Sequence, residues 1–328
     1  MFDRFITEEQ FGWRVAEICP NAMRILDTED LHFLRKAREE AIKAGKSVAE
    51  ANIHSELAKR ELASILRSDL SLIISETEMK LLKTTFRIPE GLLFYLPFLI
   101  DVDLELSIDV PDFADRKNFV TIGNFQHAPN TEGVKWLAKE IWPQIRSELP
   151  NAEMHVYGAY SPQEISELHN EANGFRIMGW AADKREVMSN SRVCLAALRF
   201  GAGLKGKIID AMISGTPSVT TPIGAEGISN DLSFGGIISE NAAEFIKDSI
   251  RLYTTEKEWT QHQLQGFRIL QERFNKSIFT ELFANRLSDI LGHLGVHRNR
   301  YFLGQILQHH SLQASKYLSK WIELKNKI

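Results

Sequence analysis

The feature that most constrains this chain is a regular alternation that begins at Phe119. Short apolar runs alternate with amphipathic segments, and each run ends on a glycine or a proline. Phe119-Val-Thr-Ile122 ends at Gly123, Met154-His-Val-Tyr157 at Gly158, and Phe175-Arg-Ile-Met178 at Gly179. Val193-Cys-Leu-Ala-Ala197 runs into a glycine-rich segment, and Ser218-Val-Thr-Thr221 runs into Pro222 and Gly224. Glu132 to Leu149 carries Val134, Leu137 and Ile141 on one helical stripe. Strands alternating with helices predict βαβ units and a parallel sheet, so the fold class is α/β. In open sheets of this kind ligands bind at the carboxyl ends of the strands, where these glycines lie.

A length of 328 residues predicts two compact domains. The net charge of −4 gives neither a basic nucleic-acid footprint nor a polybasic membrane patch. Cys19 and Cys194, the only two cysteines, form no Cys-x-x-Cys pair. Neither a disulfide framework nor a zinc site is expected, and a reducing cytosol is. The longest apolar run, Leu92 to Ile100, is too short for a bilayer, which needs ~20 residues.

The first 118 residues read differently. The chain is expected to open on a helix, Thr7 to Glu17, with no opening strand. Arg24 to Leu26 is a short strand, and Asp30 to Leu66 is helical with a break near Gly45. Leu70 to Ser75 is a buried strand and Phe94 to Pro97 another. These are too few strands for a complete doubly wound domain. The polar stretch Pro111 to Asn118 marks the boundary. After Glu240 the periodicity predicts helices over Ala242–Thr254, Glu256–Phe274 and Ile278–Leu294. The tail from Asn299 to Lys327 carries Tyr301, Phe302, Tyr317, Leu318 and Trp321, and is amphipathic enough to dock on another surface.

The chemistry concentrates in Arg199-Phe-Gly-Ala-Gly-Leu-Lys-Gly-Lys-Ile-Ile-Asp210. Gly201 to Gly206 fits the dinucleotide pattern G-x-G-x-x-G, but it follows the fourth strand of its domain rather than the first. The acidic residue expected ~20 positions on is missing, because that strand ends in Thr220 and Thr221. Glycines at a helix start instead let backbone N–H groups approach an anion, with the helix dipole adding positive character. Arg199, Lys205 and Lys207 add full charges, and Asp210 shares a helix face with Lys207. Lysine for phosphate and carboxylate for ribose hydroxyls suits a nucleoside diphosphate. A solvated helix start with a Lys207–Asp210 surface pair is the other reading of the same spacing. Thr221-Pro-Ile-Gly-Ala-Glu-Gly-Ile228 and Gly123 to Asn130 add two further turns on the same rim.

Through FVTIGNFQHAPNTEGVKWL, MHVYGA and FRIMGWAADKREVMSNSRVCLAALRFGAGLKGKIIDAMISGTPSVTTPIGAEGI, the sequence resembles the retaining family-four glycosyltransferases of GT-B fold. That resemblance implies two Rossmann-like domains facing a cleft. It implies residues 1–115 as a partial acceptor-side domain, 116–285 as the nucleotide-sugar donor domain, and 286–328 as a helical tail packing back on the first. It implies transfer of one sugar with retention from a nucleotide-diphosphate donor, without cofactor or metal. The acceptor would be a glycan, a lipid-linked molecule or a small molecule. The implied setting is polysaccharide synthesis in the cytoplasm, with peripheral contact at the inner face of the membrane.

Site roles follow from the resemblance. Lys207 lies by the diphosphate and Asp210 by the ribose. Gly123, Asn124, Gly203 and Lys205 line the donor site with the loop Gly224, Ala225, Glu226 and Gly227, and Gly179 and Trp180 sit near the base. Trp180 packing on its own domain is an equal reading. Lys207 and Arg199 would stabilise the leaving group, and His32 would face the sugar or the acceptor. Three positions depart from the family pattern: Ala202 replaces a sugar-binding glutamate, Asp210 replaces a glutamate, and Asn124 replaces an arginine. A chain that binds nucleotide sugar without transferring it is the alternative, and a Rossmann oxidoreductase built on the Gly201 turn is a third.

Overall fold

The computed structural model describes residues 1–106, 109–309, 321–322 and 324–325. His310, Tyr317 and Leu318 of the expected tail lie outside the described residues. Two parallel sheets organise the chain. The first has the order β1 (Phe2–Asp3), β2 (Ile25–Asp27), β3 (Leu70–Ile73) and β4 (Leu93–Tyr95). The second contains β5 (Lys117–Ile122), β6 (Met154–Tyr157), β7 (Phe175–Gly179), β8 (Ser191–Ala196), β9 (Ser218–Thr220) and β10 (Gly236–Ile238). Its order is β10-β9-β8-β5-β6-β7.

Central β8 shows why the strands read so clearly. Val193 and Leu195 pack in the core of Phe119, Trp142 and Phe245, while Cys194 packs with Val120, Met188 and Ala211 on the opposite face. A parallel strand buried on both faces is apolar throughout. Its hydrogen bonding to β5 and β9 completes the burial of the backbone. Helix starts are marked by short polar caps. Asp183 accepts from the N–H groups of Arg185 and Glu186, and Asn241 from that of Glu244.

Three differences from the sequence reading matter. The chain does open on a strand, since Phe2 pairs with Leu26 and Asp3 with Asp27. Two residues before a helix are too few to carry a strand period, which is why the pattern missed β1. The sixth strand β10 was also missed, because Gly236-Ile-Ile238 is only three residues long. The return to the first domain begins at Asn275, within the cap of helix Lys276–Gly292, rather than at 285–286. Phe279 and Phe283 of that helix already pack on Tyr95 and Phe94. Farther along, Arg298 forks onto Asp69 with bonds of 2.8 Å, and Gly304 lies against the Leu66 carbonyl.

The polar connection at 111–118 is held from inside. Buried Arg116 donates to the Pro111 carbonyl (2.7 Å), Thr216 Oγ1 (2.7 Å) and the Ser214 carbonyl (3.0 Å), and it lies over the Trp259 ring. Burial pulls its guanidinium down to about 10.

Candidate active site

The second sheet reverses direction between β5 and β8. From β5 the chain builds outward through β6 and β7, then returns to the other side with β8, β9 and β10. Such a switch point leaves a crevice at the strands' carboxyl ends. Gly123 and Asn124 follow β5 there, and Gly201 to Gly206 follow β8. The crevice opens into an interdomain cleft of 1170 Å³.

The two domains line it differently. From the first come Arg4, Asp27, Glu29, Asp30, His32 and Arg35, beside an apolar wall of Ile74, Leu96, Phe98 and Leu99. From the second come Gly123, Asn124, His127, Trp180, Lys184, Lys205, Lys207 and Asp210. Of the sequence-derived residues, the cleft therefore brings together His32, Gly123, Asn124, Trp180, Lys205, Lys207 and Asp210.

Lys207 stands in the first turn of helix Gly206–Ile213, at the switch point. The N-cap, Lys205, gives the helix no side-chain acceptor, so the dipole's positive end is left to the cleft. Burial pulls the Lys207 ammonium down to about 8. Among the described residues, Lys207 is the only lysine or arginine lining the cleft with neither a hydrogen bond nor an ion pair. Below it, burial pushes the Cys194 thiol up to about 11, so that group stays uncharged.

Lys205 is arranged in the opposite way. Its Nζ turns back onto the carbonyls of Ala202 (2.9 Å) and Gly203 (2.6 Å). Asp210 pairs with Lys184 at 2.6 Å across neighbouring helices, not with Lys207. Trp180 projects from the rim after Gly179, which takes the left-handed conformation at φ 77°, and it is 72% exposed. Gly179 itself does not line the cleft.

Other expected residues stand elsewhere. Arg199 pairs with Glu132 at 3.0 Å on the outer face and does not line the cleft. Glu226 is taken by Arg38, whose two Nη atoms reach it at 2.7 and 2.8 Å while Nη1 also reaches the Gly201 carbonyl. Its neighbours are structural. Gly224 donates to the Thr221 hydroxyl, Ala225 is buried in the apolar seam with Ile208 and Ile228, and Gly227 packs on Ser75. Gly203 is buried against the first domain, where a Cβ would meet Asp30 Cβ at 2.8 Å. Ala202 joins the core of Leu31, Phe33 and Ile73. The glycine turn is thus docked into the first domain.

His32 faces the cleft from that domain. Its Nε2 lies 3.2 Å from Asp30 Oδ1, while Asp30 Oδ2 takes Arg35 Nε at 3.2 Å. Burial lowers the His32 pKa and Asp30 only partly restores it, so the ring is neutral near pH 7. Arg35 also reaches His127 Nδ1 of the second domain at 3.4 Å. Two cleft residues, Arg4 (φ 64°) and Glu29 (φ 57°), take left-handed backbone conformations at the ends of β1 and β2. Strain of this kind persists only where surrounding structure enforces it.

Sequence reasoning missed Glu61 and Glu78. Glu61 accepts from the N–H groups of His32 (3.1 Å) and Phe33 (2.9 Å), and burial raises its pKa to about 8. Glu78, also buried, reaches Leu31 and Gly203. The available signal was a carboxylate on the apolar stripe of a helix, next to Ile65 in one case and Leu82 in the other.

Known proteins share this architecture. Residues 116–255 match the family model described as glycosyl transferases group 1. This part of the chain is similar to the group 1 glycosyl transferases. An uncharacterized 44.6 kDa protein in the cps region of Klebsiella pneumoniae is 22% identical over 174 residues. That match spans 51% of this chain and 45% of the relative, so the chain covers about half the relative's length. Sucrose-phosphate synthase from Thermosynechococcus elongatus superposes with a TM-score of 0.65 at 14% identity, over 89% of this chain and 73% of that one. HepE from Anabaena, solved with UDP and glucose, gives 0.60 at 14% identity over 87% and 84%. The two-sheet arrangement is the GT-B fold.

Proposed function

We propose that this protein transfers a sugar from a nucleoside-diphosphate donor to a glycan acceptor, with retention of anomeric configuration. The observation that carries the reading is unpartnered Lys207 at a helix start, on the switch point of a domain similar to the group 1 glycosyl transferases. Breaking the anomeric C–O bond leaves negative charge on the diphosphate. A fixed ammonium and a helix N-terminus in a partly dry cleft stabilise that charge more as it develops than before. Asp210, beside Lys184, is the candidate ribose ligand, and Trp180 the candidate platform for the base. Uridine is the proposed base, by analogy with HepE. Front-face attack suits the cleft because its carboxylates are engaged: Asp30 with His32 and Arg35, Glu29 with Arg4, Asp210 with Lys184, and Asp27 with the Glu29 N–H. Cell-surface polysaccharide synthesis is the proposed setting. Among the described residues no helix is long and apolar enough to cross a membrane.

One observation favours a second reading, binding without transfer. The position the resemblance gives to a sugar-binding glutamate is Ala202, and it is buried in the first domain's core. The test is calorimetric titration with UDP, GDP and ADP, together with release of nucleoside diphosphate from the corresponding sugar nucleotides. Binding with turnover supports transfer. Binding without turnover of any donor supports the second reading, and no binding sinks both.

A further inference from the structure

Glu78 lies on helix Glu76–Thr84 of the first domain, yet one of its oxygens bonds to both domains beside the cleft. Oε1 accepts from the Leu31 N–H at 2.9 Å and from the Gly203 N–H at 2.8 Å. Leu31 precedes His32, and Gly203 stands in the turn that carries Lys205. We infer that Glu78 is a positioning residue: through a single oxygen it sets the separation between the first-domain loop at Asp30–His32 and the donor-side turn at Gly201–Lys205. The catalytic consequence rests on the glycosyl-transfer reading above, whereas the positional claim does not.

A second observation shows how far its grip extends. The peptide unit joining Ala202 to Gly203 gives its N–H to Glu78 and its carbonyl to Lys205 Nζ at 2.9 Å. One peptide dipole is therefore clamped between a carboxylate and an ammonium, each on the side that suits it. The clamp holds the Lys205 ammonium on its own loop and leaves Lys207 as the free cation. Gly203 is required there because its φ is 61° and a Cβ would collide with Asp30. The other oxygen, Oε2, is buried without a partner, so the side chain has no competing engagement. Asp30, Lys205 and Glu61 are the charged groups facing Glu78, and burial raises its pKa to about 7.

Amide hydrogen exchange, followed peptide by peptide, tests the positional claim without any substrate. In Glu78→Ala, exchange is expected to rise at least tenfold in the segments around Leu31 and around Gly203 together. In Glu78→Gln, whose amide oxygen still accepts, both are expected to rise about threefold. Glu78→Gln decides the matter if Glu78→Ala does not fold. A rise confined to one segment, or to neither, overturns the inference. In an active wild type, folded Glu78 variants should lose donor turnover at least tenfold for Ala while UDP affinity stays within twofold, with Gln recovering most of the rate. Parallel loss of UDP affinity and turnover would mean a structural role only. A wild type that turns over no donor refutes the transfer reading, and exchange still decides the role of Glu78.

Discussion

The two walls of the cleft solve opposite electrostatic problems. On the first-domain wall each cation is answered at once, and among the described residues Asp27 accepts only from the Glu29 N–H. Arg4 meets Asp3 and Glu29, and Asp30 meets His32 and Arg35. The second-domain wall answers all its cations except Lys207, and sets that one at the start of a helix. A wall with no free cation suits hydroxyl groups, which need donors and acceptors rather than a positive field. A wall with one unmatched cation suits a polyanion. Lys205 and Lys207, two residues apart, show that sequence proximity does not decide the outcome. One ammonium is spent on its own loop and the other is kept in reserve.

The contrast can be broken most directly at these two lysines. Lys207→Ala is expected to weaken UDP binding at least tenfold by calorimetry, since a charge-assisted hydrogen bond contributes about 1.5–3 kcal/mol. Lys205→Met should change it less than about threefold while lowering Tm, because two buried carbonyls lose their donor. Equal losses of affinity would erase the distinction. The pH dependence sharpens it. Lys207 binds anions when protonated, so UDP affinity should fall as pH rises through about 8, and Lys207→Arg should remove that fall.

Arg38→Ala comes next. It removes a forked interdomain pair, and thermal unfolding should show a loss of about 2 kcal/mol, with little change in UDP affinity. Trp180→Ala, at an exposed rim, should weaken UDP binding by about threefold. A test of a different kind concerns Glu61, whose folded pKa of about 8 lies above the unfolded value. The folded state holds that proton between about pH 4 and 8. Its contribution is complete below the unfolded pKa and is lost as pH rises through the folded one. Glu61→Gln should therefore flatten the decline of Tm between pH 5 and 9. An unchanged slope would show that the group does not carry this linkage.

How much of this was legible in the sequence depended on burial and on range. Strands β5 to β9 were readable because each is an apolar run closed by a glycine or proline, a local signal. Lys207 and Asp210 were readable as a pair, because helix spacing places them on one face. Their partners were not. Lys184 lies 26 residues from Asp210 and Arg38 lies 188 residues from Glu226, distances over which local pattern carries nothing. Arg199, in the loop after β8, failed for the same reason, since Glu132 claims it from a helix 67 residues earlier. Glu78 left a faint trace as a charge on an apolar stripe, but its meaning needed the second domain beside it.

The backbone around Ile100 carries a mechanical consequence. Ile100 donates to the Phe274 carbonyl at 2.7 Å, and its own carbonyl accepts from Lys276 at 2.8 Å. The outgoing and returning passages of the chain are stitched together where they pass between the domains. Two passages bound side by side act as a spine. They tie the point where the chain leaves the first domain to the point where it comes back, so neither passage can shift along the other without breaking both bonds.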